Sequence, residues 1–309
     1  MTLDRSRLRL LLFDLDGVLL SEQRYVDAAA LTVASLAPVA LQNDALAALN
    51  NCDDDEAIAQ LRAHWLPDEV IAELRGRAIN SNWDKAYACL LALYRDVPAT
   101  FTTVGGYLYE SLQRVPGSGD HYLQALAATA PAAPDFATVQ RVFQSFFLGD
   151  KRSCVKWRHE GLVARDTTLM PASVIHRHLQ TLTQAGFTLG IGTGRPRVEA
   201  QRPLVSAGLW SFFASDHMVT YDDVRREEQR RGMAHGSLGK PHPFTYLAGS
   251  RYFKGREVCV VGDSVADAIA AQAAGFAFIG VGEVSSFAGL ASSPDVVVDN
   301  VCALLDHVL

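Results

Sequence analysis

Two kinds of hydrophobic pattern alternate along the chain. The first is the short apolar run, as in Leu8-Arg9-Leu10-Leu11-Leu12-Phe13, which stops at Asp14. Runs of this kind mark strands buried on both faces of a parallel sheet. Similar runs predict strands at 187–191, 217–220, 258–261, 276–281 and 296–298. Between them, apolar residues recur at helical spacing over 172–185, 198–207, 265–274 and 301–307, with a further helix opening at 243 and a short one at 287–291. Gly186 and Gly275 stand where C-terminal caps belong. Strands alternating with helices predict a parallel sheet with helices on both faces.

The second pattern fills residues 21–167. This stretch is rich in Ala, Leu, Gln and Arg, and it reads as helices over 22–36, 53–65, 68–78, 84–94, 105–114, 121–128 and 136–147. Asp53 and Asp68 stand as N-cap candidates, and prolines at 38, 67, 98, 116, 131 and 134 punctuate the helices. The expected organisation is therefore a discontinuous α/β core, residues 1–20 with 168–309, interrupted by an all-helical insertion over 21–167. An insertion directly after a strand end is placed above the carboxyl edge of the sheet, where open α/β sheets bind ligands.

The chain has 309 residues, enough for about two domains. Apolar residues make up 49% and charged residues 20%, which is ordinary for a globular protein and excludes disorder. The net charge of −6 argues against a general nucleic-acid binder but leaves room for a local positive site. No apolar run approaches the ~20 residues of a membrane span. The Leu-rich start is interrupted by Asp14 and Asp16, with no small-residue cleavage site after it, so a cytoplasmic protein is expected. Cys52, Cys89, Cys154, Cys259 and Cys302 are odd in number and widely spaced, so reduced thiols are expected rather than a disulfide framework or a zinc site.

Four short stretches bear candidate chemistry. In Asp14-Leu15-Asp16-Gly17, two carboxylates at i and i+2 follow a strand end and can share a crevice; a hard divalent cation such as Mg2+ would offset their repulsion. A surface turn is the plain alternative, since Asp-Gly is a common turn pair. In Gly192-Thr193-Gly194-Arg195, a hydroxyl and backbone N–H groups between strand and helix suit a phosphate oxygen, or simply cap the helix. Arg195 itself fits a salt bridge or helix start better than a substrate contact. In Gly239-Lys240-Pro241-His242-Pro243, a loop stiffened by two prolines holds a lysine that could face an anionic nucleophile and a phosphate together. In Gly262-Asp263-Ser264-Val265-Ala266-Asp267, Asp263 ends a strand, while Ser264 and Asp267 also fit a capping box. His176 and His178, two apart on a helix, make a poor metal pair, and Lys151, Arg152, Lys156 and Arg158 read as a solvated linker face.

Taken in order and spacing, these four stretches resemble the haloacid dehalogenase superfamily of phosphatases and phosphotransferases. The resemblance spans residues 10–17 and 170–299, about half the chain. It implies a Rossmann-like core with a helical cap of the first type, here larger than the usual four-helix form. It implies Asp14 as nucleophile, Asp16 as general acid/base, and Thr193, Gly194 and Lys240 as holders of the phosphoryl group. Mg2+ would lie among Asp14, the backbone carbonyl of Asp16, and Asp263, with Asp267 as the second acid of the metal motif. The second aspartate argues against dehalogenation, and a membrane ATPase lacks its helices here. A phosphonate hydrolase would need a Schiff-base lysine that nothing marks among Lys85, Lys151 and Lys156. The expected activity is a Mg2+-dependent phosphatase on a small phosphorylated metabolite. A β-phosphoglucomutase-like phosphomutase and a non-catalytic binding module stay as alternatives.

Overall fold

The computed structural model describes residues 4–42, 54–77, 79, 81–95, 103–149, 161–288, 290 and 293–309. Cys52, Cys154, Asp53 and the basic residues at 151, 152, 156 and 158 lie outside them. The chain divides into two compact units, one of residues 1–22 with 166–309, the other of residues 23–165.

The first unit is built on six parallel strands: β1 (Leu10–Phe13), β2 (Thr188–Gly192), β3 (Met218–Val219), β4 (Val258–Gly262), β5 (Ala277–Val281) and β6 (Val296–Val298), in the order β3-β2-β1-β4-β5-β6. Phe13 pairs in register with Ile191 on one side and Val261 on the other, so the tips of β1, β2 and β4 end level. Side chains alternate between faces, as period two requires. Leu11, Phe13, Leu189, Ile191, Cys259 and Val261 join one core cluster, and Leu10, Leu12, Val258 and Val260 join the other. From β1 the chain winds outward through β2 and β3, then returns beyond β1 to β4. That reversal makes the tips of β1 and β4 the switch point, where this class of sheet binds ligands.

In the second unit, helix α1 (Gln23–Leu36) buries nearly every residue from Tyr25 to Ala34. It is surrounded by α2 (Asp55–Trp65), α4 (Asn82–Arg95) and α7 (Phe136–Leu148), with α3 (Asp68–Gly76), α5 (Val104–Gln113) and α6 (Gly119–Ala128) completing the unit. Its alanines at 28–30 let the neighbouring helices approach closely. Asp27, 1% exposed, is compensated by Arg24 at 3.0 Å and Arg62 at 2.7 Å. The unit's two ends share one acid, since Arg24 and Arg165 both pair with Asp55, at 2.7 and 2.6 Å. The cap of α2 is Asp54, whose side chain accepts from Glu56 N–H, and Asp68 sits inside the first turn of α3 behind Pro67.

The remaining helices flank the sheet: α8 (Ala172–Gln184), α9 (Arg197–Ser206), α10 (Tyr221–Arg231), α11 (Phe244–Ser250), α12 (Val265–Ala274) and the short α13 (Leu305–Val308). Helix α10 has no counterpart in the hydrophobic pattern. A 3-10 turn covers Val284–Phe287; of the short helix expected at 287–291, residues 289 and 291 lie outside the described residues, and the final helix begins as a 3-10 turn over Val301–Leu304. No helix among the described residues is long and apolar enough to cross a membrane. The loop after β1 is closed by backbone pairing: Ser21 N–H donates to Thr167 at 2.8 Å and Leu169 N–H to Leu19 at 3.1 Å.

Candidate active site

Asp14 follows directly on β1, and its N–H donates to the carbonyl of Val261 on β4. The next residues form a single tight turn, with the N–H groups of Val18, Leu19 and Leu20 all donating to Leu15. Gly17 makes this turn possible in two ways. Its φ is +71°, and a Cβ there would stand 2.0 Å from Oδ2 of Asp263. A side chain at 17 would therefore be strained and would displace that carboxylate. Asp14, Asp263 and Asp267 each bring a carboxylate oxygen within 4.8 Å of the others.

Among the described residues, one cation pairs with this cluster. The Lys240 ammonium lies 2.9 Å from Asp14 Oδ2 and 2.7 Å from Asp267 Oδ1, and it reaches the carbonyl of Gly192 at 3.4 Å. Its three protons are thus spent on the tips of β1 and β2 and on α12. Burial alone would lower the Lys240 pKa, but the charges of Asp14 and Asp267 more than offset it and raise the value.

Asp267 is the most fully engaged of the three acids. Oδ1 accepts from Lys240 and from the Tyr246 hydroxyl at 2.6 Å; Oδ2 accepts from the Ser264 hydroxyl at 2.6 Å and its N–H at 3.3 Å. Four donors fill the lone-pair sites of a carboxylate. Burial pushes its pKa up, yet Lys240 and these hydrogen bonds hold it below the usual range. The capping box foreseen at Ser264 and Asp267 is present. Asp267 thus belongs to the acidic cluster with both of its oxygens already accepting hydrogen bonds.

Asp14 and Asp263 are under-compensated. Burial, followed for Asp14 by the opposing pull of Lys240 and the repulsion of Asp267 and Asp16, pushes the Asp14 pKa up to about 7. Burial and the charges of Asp267 and Asp14 push Asp263 up to about 8. Among the described residues, Asp263 accepts no hydrogen bond. A hard divalent cation suits this donor set, because three carboxylates come within 4.8 Å of one another with the Lys240 ammonium alone, among the described residues, paired to them.

Thr193 sits on the tip of β2, 1% exposed, and its hydroxyl oxygen accepts from the N–H of Arg195 at 3.1 Å. Gly194 is exposed, with open space where a Cβ would be. Asp16 is held by Arg195, whose Nε donates to its two oxygens at 3.1 and 3.0 Å. The strand tips and the loop before α11 thus gather Asp14, Asp263, Asp267 and Lys240, with Asp16 and Thr193 on the adjoining turns.

A family model of haloacid dehalogenase-like hydrolases matches residues 8–275. The chain belongs to this family. Among curated proteins it is similar to phosphoglycolate phosphatases from two strains of Haemophilus influenzae, at 34% and 33% identity over 131 residues. Each alignment takes in 41% of this chain and 52% of the relative, so the chain spans about half the length of the curated relatives it matches. An X-ray structure from the Northeast Structural Genomics Consortium superposes with a TM-score of 0.70 at 26% identity, covering 97% of this chain and 99% of its own. A phosphatase from Thermococcus thioreducens shares the fold at a TM-score of 0.55 and 19% identity, covering 89% and 93%.

Two contributors to the hydrolase site were not singled out for it by sequence. Tyr246, fully buried on α11, places its ring 5.8 Å from Lys240 Nζ and its hydroxyl on Asp267. Gly192 makes room for that ring, since a Cβ there would stand 2.6 Å from it. Asp166 is the second, holding Arg195 from behind at 2.5 Å. An acid just before the chain re-enters the sheet was the available signal.

Proposed function

We propose that the protein is a Mg2+-dependent phosphatase that hydrolyses a small phosphorylated metabolite through an aspartyl-phosphate on Asp14. The observation that supports it most is the Lys240 ammonium held between Asp14 and Asp267, with Asp263 beside them and two carboxylates still short of positive charge. Asp14 and Asp263, with the backbone carbonyl of Asp16, would hold the metal. When bound, Mg2+ supplies positive charge to the transferring phosphoryl group and to the carboxylates around it.

The chain's own residues then divide the work. Lys240 orients one Asp14 oxygen and leaves the other to attack phosphorus in line. The bond to the leaving oxygen breaks, and Asp16 gives that oxygen a proton. Asp16 next takes a proton from water, whose oxygen attacks the phosphorus and releases phosphate from Asp14. The Thr193 hydroxyl and the Gly194 N–H donate to phosphoryl oxygens, and Lys240 offsets their charge. Asp267 acts through Lys240, which it holds in place. We further assign residues 21–167 as a cap domain that discriminates among leaving groups, and residues 1–20 with 168–309 as the catalytic core.

The test is phosphate release from a panel of phosphorylated metabolites, with Mg2+ and with excess chelator. Phosphoglycolate belongs in the panel because two relatives bear that name. Release that needs Mg2+ and disappears in Asp14→Asn is expected. Full activity in chelator removes the metal from the reading, and full activity of Asp14→Asn moves the nucleophile elsewhere.

A further inference from the structure

Arg195 is 2% exposed, and arginine is rarely buried so deeply without partners. Its Nε donates to both oxygens of Asp16, and its Nη2 donates to Oδ1 at 2.5 Å. On the opposite side, Nη1 donates to Asp166 Oδ2 at 2.5 Å, and weaker contacts reach the carbonyls of Glu199 at 3.4 Å and Ser21 at 3.5 Å. One guanidinium therefore stands between two carboxylates. Asp166 has no exposed side-chain surface, whereas Asp16 keeps 28% of its own.

We propose that Arg195 is a positioning residue for Asp16, fixing the direction from which its carboxylate meets the leaving oxygen. The inference rests on the reading of Asp16 as acid/base. Asp16 lies on a turn just before a glycine of positive φ, where an untethered side chain has three staggered rotamers open to it. A planar fork with two donors on one carboxylate selects one of them. Asp166 completes the device by occupying Nη1, which leaves Nε and Nη2 turned to Asp16. Thr193 fixes the other end, since its hydroxyl accepts from the Arg195 N–H. Ser21 stands just before the chain leaves the sheet unit after Glu22, and Asp166 is where it re-enters. The same guanidinium thus ties Asp16 to both connections.

The test uses Asp16→Asn, Arg195→Lys and the double variant, each with saturating Mg2+, on an alkyl phosphate and on nitrophenyl phosphate. Lysine keeps a cation for buried Asp166 but offers a point charge in place of the fork. Misplacing a proton-transfer group by about 1 Å costs up to ~10²-fold, so Arg195→Lys should lower kcat on the alkyl phosphate by ~10- to 10²-fold with KM little changed. The first turnover of nitrophenyl phosphate, whose leaving group needs no proton, should fall by less than about threefold. The double variant should be no slower than Asp16→Asn, because the second change removes an interaction already lost.

Equal losses on the two substrates, or losses that multiply in the double variant, overturn the proposal. Asp16→Asn losing equally on both substrates overturns the acid/base reading itself, and the positioning role with it. Should Arg195→Lys fail to fold, Asp166→Asn takes its place. It should show the same alkyl-selective loss, and a uniform loss counts against the proposal in the same way.

Discussion

Replacing Tyr246 by phenylalanine removes a single oxygen from the centre of the site. The ring stays, filling the space that Gly192 leaves open, so no cavity is made. What disappears is the 2.6 Å hydrogen bond to Asp267 Oδ1, which then keeps Lys240 alone. A hydrogen bond to a charged group contributes about 1.5–3 kcal/mol. The Asp267 side chain has no exposed surface, so water cannot take the place of the hydroxyl. Part of the loss is offset because phenylalanine is the more readily buried ring, and the net expectation is about 2 kcal/mol. For a unit of roughly 170 residues that lowers Tm by about 4–8 °C. The carboxyl of Asp267 is held below the usual range, and the Tyr246 phenol is pushed well above its own, chiefly by burial. Neither partner changes protonation between about pH 5 and 9, so the loss should persist at both ends of that range. Urea unfolding at several pH values measures it, as a shifted midpoint at unchanged slope. A loss under about 0.5 kcal/mol would show that Lys240 and Ser264 satisfy Asp267 without the hydroxyl.

Three further outcomes follow from the same geometry. Asp14→Asn should abolish turnover yet raise the melting temperature in chelator at pH 8, since it removes a carboxylate whose charge burial disfavours; scanning calorimetry beside the parent protein decides this. Asp14 and Asp263, raised to about 7 and about 8, keep protons that the unfolded chain releases above about pH 4. Stability in chelator should therefore fall as pH rises through that window, and added Mg2+ should raise Tm more at pH 8 than at pH 5.5; a pH-independent Mg2+ effect would place the ion elsewhere. Gly17→Ala should cost about 1–2 kcal/mol from its left-handed backbone alone. Its methyl group, 2.0 Å from Asp263 Oδ2, should also weaken the Mg2+-dependent Tm shift; an unchanged Mg2+ titration would separate Asp263 from metal binding.

The parts of the structure that were legible in the sequence are those with one strong local signal. Strand β4, buried along its whole length, and the half-buried β6 show as short apolar runs rich in valine, and α12 shows its cap at Ser264 and its stop at Gly275. Helix α10 shows no such signal, because only Val224 and Glu228 along it are buried. Ion pairs from Arg225, Arg226, Arg230 and Arg231 to Asp223, Glu227 and Glu228 line it instead, and its one readable mark was the capping box of Thr220 and Asp223. In the site, acids at strand tips stand out because an ionised group after an apolar run is itself a signal. Tyr246 does not, since a tyrosine in an apolar helix says nothing of where its hydroxyl points. The Arg195 fork is hidden for another reason: its two carboxylates lie 179 and 29 residues away, a distance no local pattern encodes.

The closed loop after β1 bears on how the chain assembles. Docking β1 between β2 and β4 means closing a loop of roughly 145 residues between Ser21 and Thr167, an entropic cost that grows as (3/2)RT ln n. Arg24 and Arg165 meet on Asp55, so once the helices between them are in place their ends are already neighbours. The effective loop then shrinks to a handful of residues, and the closure cost drops by about 3 kcal/mol. Helical contacts are local and form quickly, whereas the pairing of β1 is among the most distant in the chain. The insertion that separates β1 from its sheet is thus also what brings its two ends back together, provided it folds first.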